Sequence, residues 1–175
     1  MILILSVLLA QVEFRSPAVP GDPRSQRPWV ISAEAGWNGL SGIGAVVGRH
    51  LSPHLTMEAG LGLSGEGPKL GIRGRYNFLA QEGTPFLGAG FLYGTGTHGR
   101  DGAYTYTVTP SPFLQFTGGL EYQSRAGFNC LMALGYARLL RENFSDNGRG
   151  TFGTFGQRFL SDGGLVASIS LGYAF

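Results

Sequence analysis

The sequence predicts an all-β protein, an antiparallel up-and-down transmembrane β-barrel of eight strands. Three observations carry this. Segments of about ten residues alternate apolar with small or polar side chains along most of the chain, the period-two pattern of strands. Glycine supplies 30 of the 175 residues, where average usage of about 7% would supply about 12, and glycine weakens helix interiors. The face opposite the apolar one is built from Gly, Ser, Ala and Thr rather than Lys and Glu, which suits the narrow interior of a small barrel better than a water-facing sheet.

The length fits one domain. With 14% charged residues and a net charge of +2, the chain is neither a disordered polyelectrolyte nor a carrier of a basic nucleic-acid patch, so no nucleic-acid partner is expected. Cys130, the single cysteine, has no intrachain partner and falls between Phe128 and Met132 on an apolar face, where a packing or lipid-facing role is expected.

Met1 to Ala10 is an apolar run of secretion-signal length, too short to span a bilayer as a helix, and reads as a signal peptide. Residues 11–28 read as a flexible periplasmic lead-in, because Pro17, Pro20, Pro23 and Pro28 exclude a helix or an internal strand. The barrel domain then occupies 29–175.

Strand one is Trp29 to Trp37, with Trp29, Ile31, Ala33, Ala35 and Trp37 on one side and Val30, Ser32, Glu34 and Gly36 on the other. Asn38-Gly39 is a hairpin signal leading to strand two, about Gly42 to His50. Ser52-Pro53 turns the chain into strand three, Leu55 to Ser64, the cleanest alternation of all. Gly65 to Pro68 turns it back into strand four, Lys69 to Phe78, and Ala80 to Pro85 leads to strand five, Phe86 to Thr95. A polar loop of about Gly96 to Pro112 precedes strand six, Phe113 to Gln123; Arg125 to Gly127 is a tight turn before strand seven, Phe128 to about Leu139. Leu140 to Gly164 reads as a long loop, and strand eight, Leu165 to Phe175, places Leu165, Ala167, Ile169, Leu171, Tyr173 and Phe175 on one face.

Period two alone does not say which face meets water. Small residues point inward by the argument above, and aromatic residues concentrate near strand ends, as girdles at two bilayer interfaces require: Trp29, Trp37, Tyr76, Phe78, Tyr93, Tyr122, Phe128, Tyr136, Tyr173 and Phe175. Ten residues at ~3.3 Å each, tilted ~45°, reach ~23 Å, close to the ~25 Å apolar band of membrane barrels. Three connections on the side of Trp29 are short, whereas the opposite side receives both long loops, as an extracellular face does.

With the terminal Gly172-Tyr173-Ala174-Phe175, this pattern resembles the transmembrane domain of the OmpA/OmpX-type outer-membrane proteins over about residues 29–175. The resemblance implies location in a bacterial outer membrane, contact with outer-membrane lipids and lipopolysaccharide, and a C-terminal strand ending in Phe175 that is read by the outer-membrane assembly machinery. It implies a monomer and carries no family-specific functional motif.

Glu34, Glu58, Arg73, Arg75 and Glu121 fall on the inward face and are expected to pair with one another, since an isolated buried ion costs several kcal/mol. A four-residue turn at Gly65 to Pro68 would set Glu58 opposite Arg75. These charges serve as a structural plug or, alternatively, gate a narrow conduit for small solutes. Aromatic residues in the long loops, Tyr104, Tyr106, Phe144, Phe152 and Phe155, are candidates for folding over the barrel mouth or for binding a surface partner.

Lipid A deacylases and palmitoyl transferases also use eight-stranded barrels, but no His-x-Ser pair lies on an outward strand face here, and no catalytic residue, cofactor or metal is expected. His98 reads as a loop histidine, and His50 and His54 lack a third ligand type nearby. Two Gly-x-Gly-x-x-Gly matches, at Gly60 and Gly94, lack the following helix that a dinucleotide site needs. The expected role is non-enzymatic, structural or surface-interacting, with a narrow pore as the alternative and a lipid A-modifying enzyme behind it.

Overall fold

A computed structural model gives the structure of the chain and describes residues 21–65, 67–101, 104–140, 144–146 and 163–175. Among the described residues a short helix α1 (Pro23–Gln26) leads into eleven strands: β1 (Trp29–Trp37), β2 (Ile43–His50), β3 (Leu55–Ser64), β4 (Gly67–Asn77), β5 (Gly83–Gly94), β6 (Thr97–Asp101), β7 (Tyr104–Val108), β8 (Ser111–Gln123), β9 (Phe128–Leu139), β10 (Phe144–Asp146) and β11 (Gly163–Ala174). Eight of them close into a barrel in the order β1-β11-β9-β8-β5-β4-β3-β2, each antiparallel to its neighbours. The fold is the predicted one.

Closure joins the first strand to the last. Trp29 N–H donates to Phe175 O at 3.1 Å and Phe175 N–H to Trp29 O at 2.8 Å, so the seam of the cylinder leaves no open hydrogen-bonding edge there. The end of the barrel holding Trp29, the turns at 51–54 and 124–127 and the connection 78–82 is called the lower rim below; the other end is the upper rim.

The alternation sorts side chains as the sequence requires. Leu61, Leu120, Leu134 and Leu165 project outward and are more than half exposed, while Ser32, Glu58, Arg73, Thr117 and Ser170, at inward positions of the barrel strands, are buried inside. All ten aromatics assigned to girdles face outward, between 39% and 53% exposed. Trp29, Tyr76, Phe78, Tyr122, Phe128, Tyr173 and Phe175 ring the lower rim, and Trp37, Tyr93 and Tyr136 sit toward the upper one. Such an inside-out distribution, apolar without and charged within, inverts that of a water-soluble barrel. Cys130 is a free, half-buried thiol on the outward side of β9.

Three expectations need correction. The proline-rich lead-in does form a helix: α1 has Pro23 in its first turn, where a missing N–H costs nothing, and Asp22 as N-cap accepting from Ser25 N–H at 3.2 Å. Residues 1–20, including the stretch expected to be a signal peptide, lie outside the described residues. Gly65 to Pro68 is not a four-residue turn, because Ser64 pairs with Gly67, whose φ of 90° makes the tighter reversal possible. Glu58 therefore stands opposite Arg73, and Thr56 opposite Arg75.

The stretch after Gly96 is not a plain loop. β6 and β7 form a hairpin, with Thr97 opposite Val108, and β10, from the segment read as the second long loop, joins the free side of β7, with Phe144 opposite Val108. Segments of both long connections thus share one three-stranded sheet. Both were too polar and too irregular to show a strand pattern, and their pairing is a long-range contact.

Asn38-Gly39 does join β1 to β2 as an antiparallel hairpin, with Ala35 opposite Ile43. Residues 38–42 run from Asn38 at φ 52° to Gly42 at φ 73° and fold into the barrel mouth, where Leu40 is fully buried with Val46, Leu92 and Phe113. Gly71 allows this close approach: a Cβ there would lie 2.6 Å from Leu40 O and 2.7 Å from Leu40 Cδ1.

Candidate functional site: the charged lumen

β3, β4 and β8 each turn alternate side chains into the cylinder, so charged residues spaced by two along a strand meet those of the strands across from it. Arg73 Nε donates to Glu58 Oε2 at 2.7 Å, and Arg75 Nη2 reaches Glu58 Oε1 at 3.0 Å. The predicted Glu58–Arg75 pair thus exists as a diagonal contact, while the directly opposite residue is Arg73. Arg75 also grips Glu121 with both terminal nitrogens, at 3.1 and 3.2 Å, the two-pronged geometry in which a guanidinium is strongest.

The row extends beyond the predicted members. Arg24 of α1 donates from Nε to Glu121 Oε2 at 3.2 Å and from Nη1 to Asp22 Oδ1 at 3.2 Å. The result is an alternating series, Arg73, Glu58, Arg75, Glu121, Arg24, Asp22, in which charges of opposite sign are neighbours and the sum is zero. Every member is at most 8% exposed. In such surroundings the pairing offsets the desolvation of the ions, and loss of one partner leaves the other stranded.

Neutral groups complete the lower half. Asn129 Nδ2 donates to Glu121 Oε1 at 3.1 Å, the Arg75 guanidinium lies 4.8 Å from the Phe86 ring centre, and His50 bridges Thr56 Oγ1 and Gln123 Oε1, both at 2.8 Å. His54 stays on the rim, stacked on Tyr76 at 5.8 Å.

Glu34 does not join the charged row. Its Oε2 accepts from Ser41 N–H at 2.6 Å and from Ser41 Oγ at 2.8 Å, so this carboxylate pins the inward-folded segment 38–42. No alternation rule reveals that role, because Ser41 reaches the lumen only through the fold of its own turn. Lys69, at 1% exposure, also points into the upper lumen, its Nζ 5.7 Å from the Phe113 ring centre.

The lumen is consequently filled at three levels: α1 and Arg24 at the lower mouth, the ionic row through the middle, and Leu40, Val46, Leu92 and Phe113 above. Arg24 and Asp22 escaped the sequence reading, although Asp22-Pro23 is itself an N-cap followed by a proline at the first helical position.

Tyr104 and Tyr106 lie in β7 and Phe144 in β10, so the three-stranded sheet brings their backbones together, with Tyr106 opposite Asp146. Phe152 and Phe155 lie outside the described residues. His98 sits in β6 opposite Thr107. Among the described residues no three His, Cys, Asp or Glu side chains converge as metal ligands would.

Among solved structures, the chain is similar to the N-terminal β-barrel domain of Pseudomonas aeruginosa OprF, with a TM-score of 0.60 at 13% sequence identity over 85% of this chain and 98% of that one. No family model and no curated protein matches the sequence. The likeness is one of fold: both are closed β-barrels, here of eight antiparallel strands.

Proposed function

We propose that this is a bacterial outer-membrane β-barrel protein without enzymatic activity, whose role is structural or is exercised through the upper-rim segments that interact at the cell surface. The observation that carries this reading is the inverted surface: a continuous apolar wall between two sets of aromatics, enclosing buried ions. Water does not reward such a wall, whereas lipid does. The OprF barrel is a neighbour in fold and supports the same setting.

In this setting the lower rim faces the periplasm and the sheet β10-β7-β6 faces outward, in contact with lipopolysaccharide or a surface partner. The C-terminal strand ending in Phe175 is the segment that the outer-membrane assembly machinery engages, and the monomer is the working form. A filled lumen favours a closed barrel over the alternative, a narrow pore.

Separation of inner from outer membranes, combined with heat-modifiable migration on a gel, tests the location; recovery of folded protein from the soluble fraction would refute it. Planar-bilayer recording tests the closed lumen, and steady channels would return the pore to first place. Unchanged lipid A after overexpression is expected, and altered acylation would overturn the non-enzymatic reading.

A further inference from the structure

The lower mouth of the barrel is built to receive a guanidinium. Glu121, 2% exposed, presents Oε2 to Arg24 Nε at 3.2 Å. The connection between β4 and β5 turns two backbone carbonyls to the same group: Gln81 O accepts from Arg24 Nη1 at 2.8 Å and Leu79 O at 3.4 Å. Asp22 Oδ1 is the fourth acceptor, at 3.2 Å. Three of the four belong to the barrel itself and are separated from Arg24 by 55, 57 and 97 residues.

We propose that this mouth is a guanidinium-binding site, formed by the Glu121 carboxylate and the Leu79 and Gln81 carbonyls, which the chain's own Arg24 occupies as a cork. Two nitrogens of the planar cation are met at once, Nε by Glu121 and Nη1 by the two carbonyls and Asp22, while Nη2 has no partner; a guanidinium presents two such nitrogens at a fixed spacing and an ammonium, a point charge, does not. α1 brings a compensating acid with it, since Asp22 pairs with Arg24. Withdrawal of the turn therefore removes one positive and one negative charge together, and the Glu121–Arg75 pair survives it.

The cork is short, and beyond Arg24 it is tied down at its C-terminal end, where Gln123 Nε2 donates to Arg27 O at 3.2 Å and His50 N–H to Pro28 O at 2.7 Å. α1 is a single turn of four residues, held otherwise by Arg27, whose Nε donates to Arg125 O at 3.1 Å and whose Nη1 donates to Ala174 O at 3.2 Å. Its release opens a vestibule lined by His50, Thr56, Asn77 and Gln123 and not a through-channel, because the Leu40 cluster above remains. The site takes a small alkylguanidinium or an arginine side chain, and it does so whichever side of a membrane the mouth faces.

Chemical rescue tests the site. Arg24→Ala in detergent is expected to lower the thermal midpoint by roughly 10 °C, the shift that a broken buried ion pair produces. n-Propylguanidinium at millimolar concentration restores at least half of that loss in a saturable manner; n-propylammonium at equal ionic strength restores less, and the wild type responds to neither. An absence of restoration, or equal stabilisation of the wild type, overturns the proposal. Should Arg24→Ala fail to fold alone, refolding yield becomes the readout, and a yield that n-propylguanidinium leaves unchanged overturns it equally. These results bear on the mouth alone, since the membrane reading stands or falls by fractionation.

Discussion

Glu58→Ala is the perturbation whose cost can be worked out most directly. The carboxylate holds Arg73 at 2.7 Å and Arg75 at 3.0 Å, and all three side chains are at most 8% exposed. Arg75 keeps its two bonds to Glu121 when Glu58 is lost. Arg73 has no such reserve: its Nε bond is to Glu58, and its Nη1 is already without a partner. The loss therefore concentrates on one stranded, buried guanidinium, and removing one partner of such a pair costs about 3–5 kcal/mol.

For a domain of this size a kcal/mol corresponds to about 2–4 °C in the midpoint, so a fall of roughly 10 °C is expected in detergent, followed by near-ultraviolet circular dichroism or by the heat-modifiable band shift. Adding Arg73→Met to Glu58→Met removes both charges, and that double variant is expected to recover most of the loss, because an apolar pair of similar volume is commonly neutral or better. A fall under about 2 °C for Glu58→Ala, or simple additivity in the cycle, would show that the row of ions carries no coupled stability and would refute the reasoning.

Other perturbations report on other layers. Leu40→Ala should cost about 2–5 kcal/mol in urea unfolding from lipid vesicles, as for other large-to-small changes in a packed core, and an unchanged midpoint would mean that segment 38–42 does not seal the upper mouth. Gly71→Val should destabilise by about 1–3 kcal/mol by driving a side chain into Leu40, detectable in the same assay. Leu134→Arg, on the outward wall where Leu134 is 69% exposed, should cost about 2–4 kcal/mol of folding into a bilayer; a variant that folds as well or gains solubility would argue that water covers that wall. Deletion of residues 143–156 should leave the barrel foldable by band shift, and surface binding that persists after deletion would remove this segment from the interaction surface.

Much of this molecule is local in origin. β1, β3 and β9 begin and end close to where the alternation does, and the side of each strand that faces out of the barrel follows from period two plus the smallness of the inner residues. Identification of Glu58, Arg73, Arg75 and Glu121 as inward needed nothing further, since parity along a strand assigns a face before any neighbour is known.

Pairing is another matter. Parity cannot distinguish registers that differ by two, so Glu58 opposite Arg75 and Glu58 opposite Arg73 looked alike until the reversal at Gly67 selected the latter. Segments without alternation were opaque for the same reason: α1 gains its place from Glu121 and the carbonyls at 79 and 81, residues 38–42 from Glu34 and a glycine-lined wall, and β10 from β7. The amino-acid order by itself determined a closed cylinder with grease outside and charge inside, because each side chain's face depends only on its own position along a strand. Only the tertiary structure decided that the cylinder is corked below and stoppered above, because those contacts join residues far apart in the chain, and no local periodicity encodes a meeting at that distance.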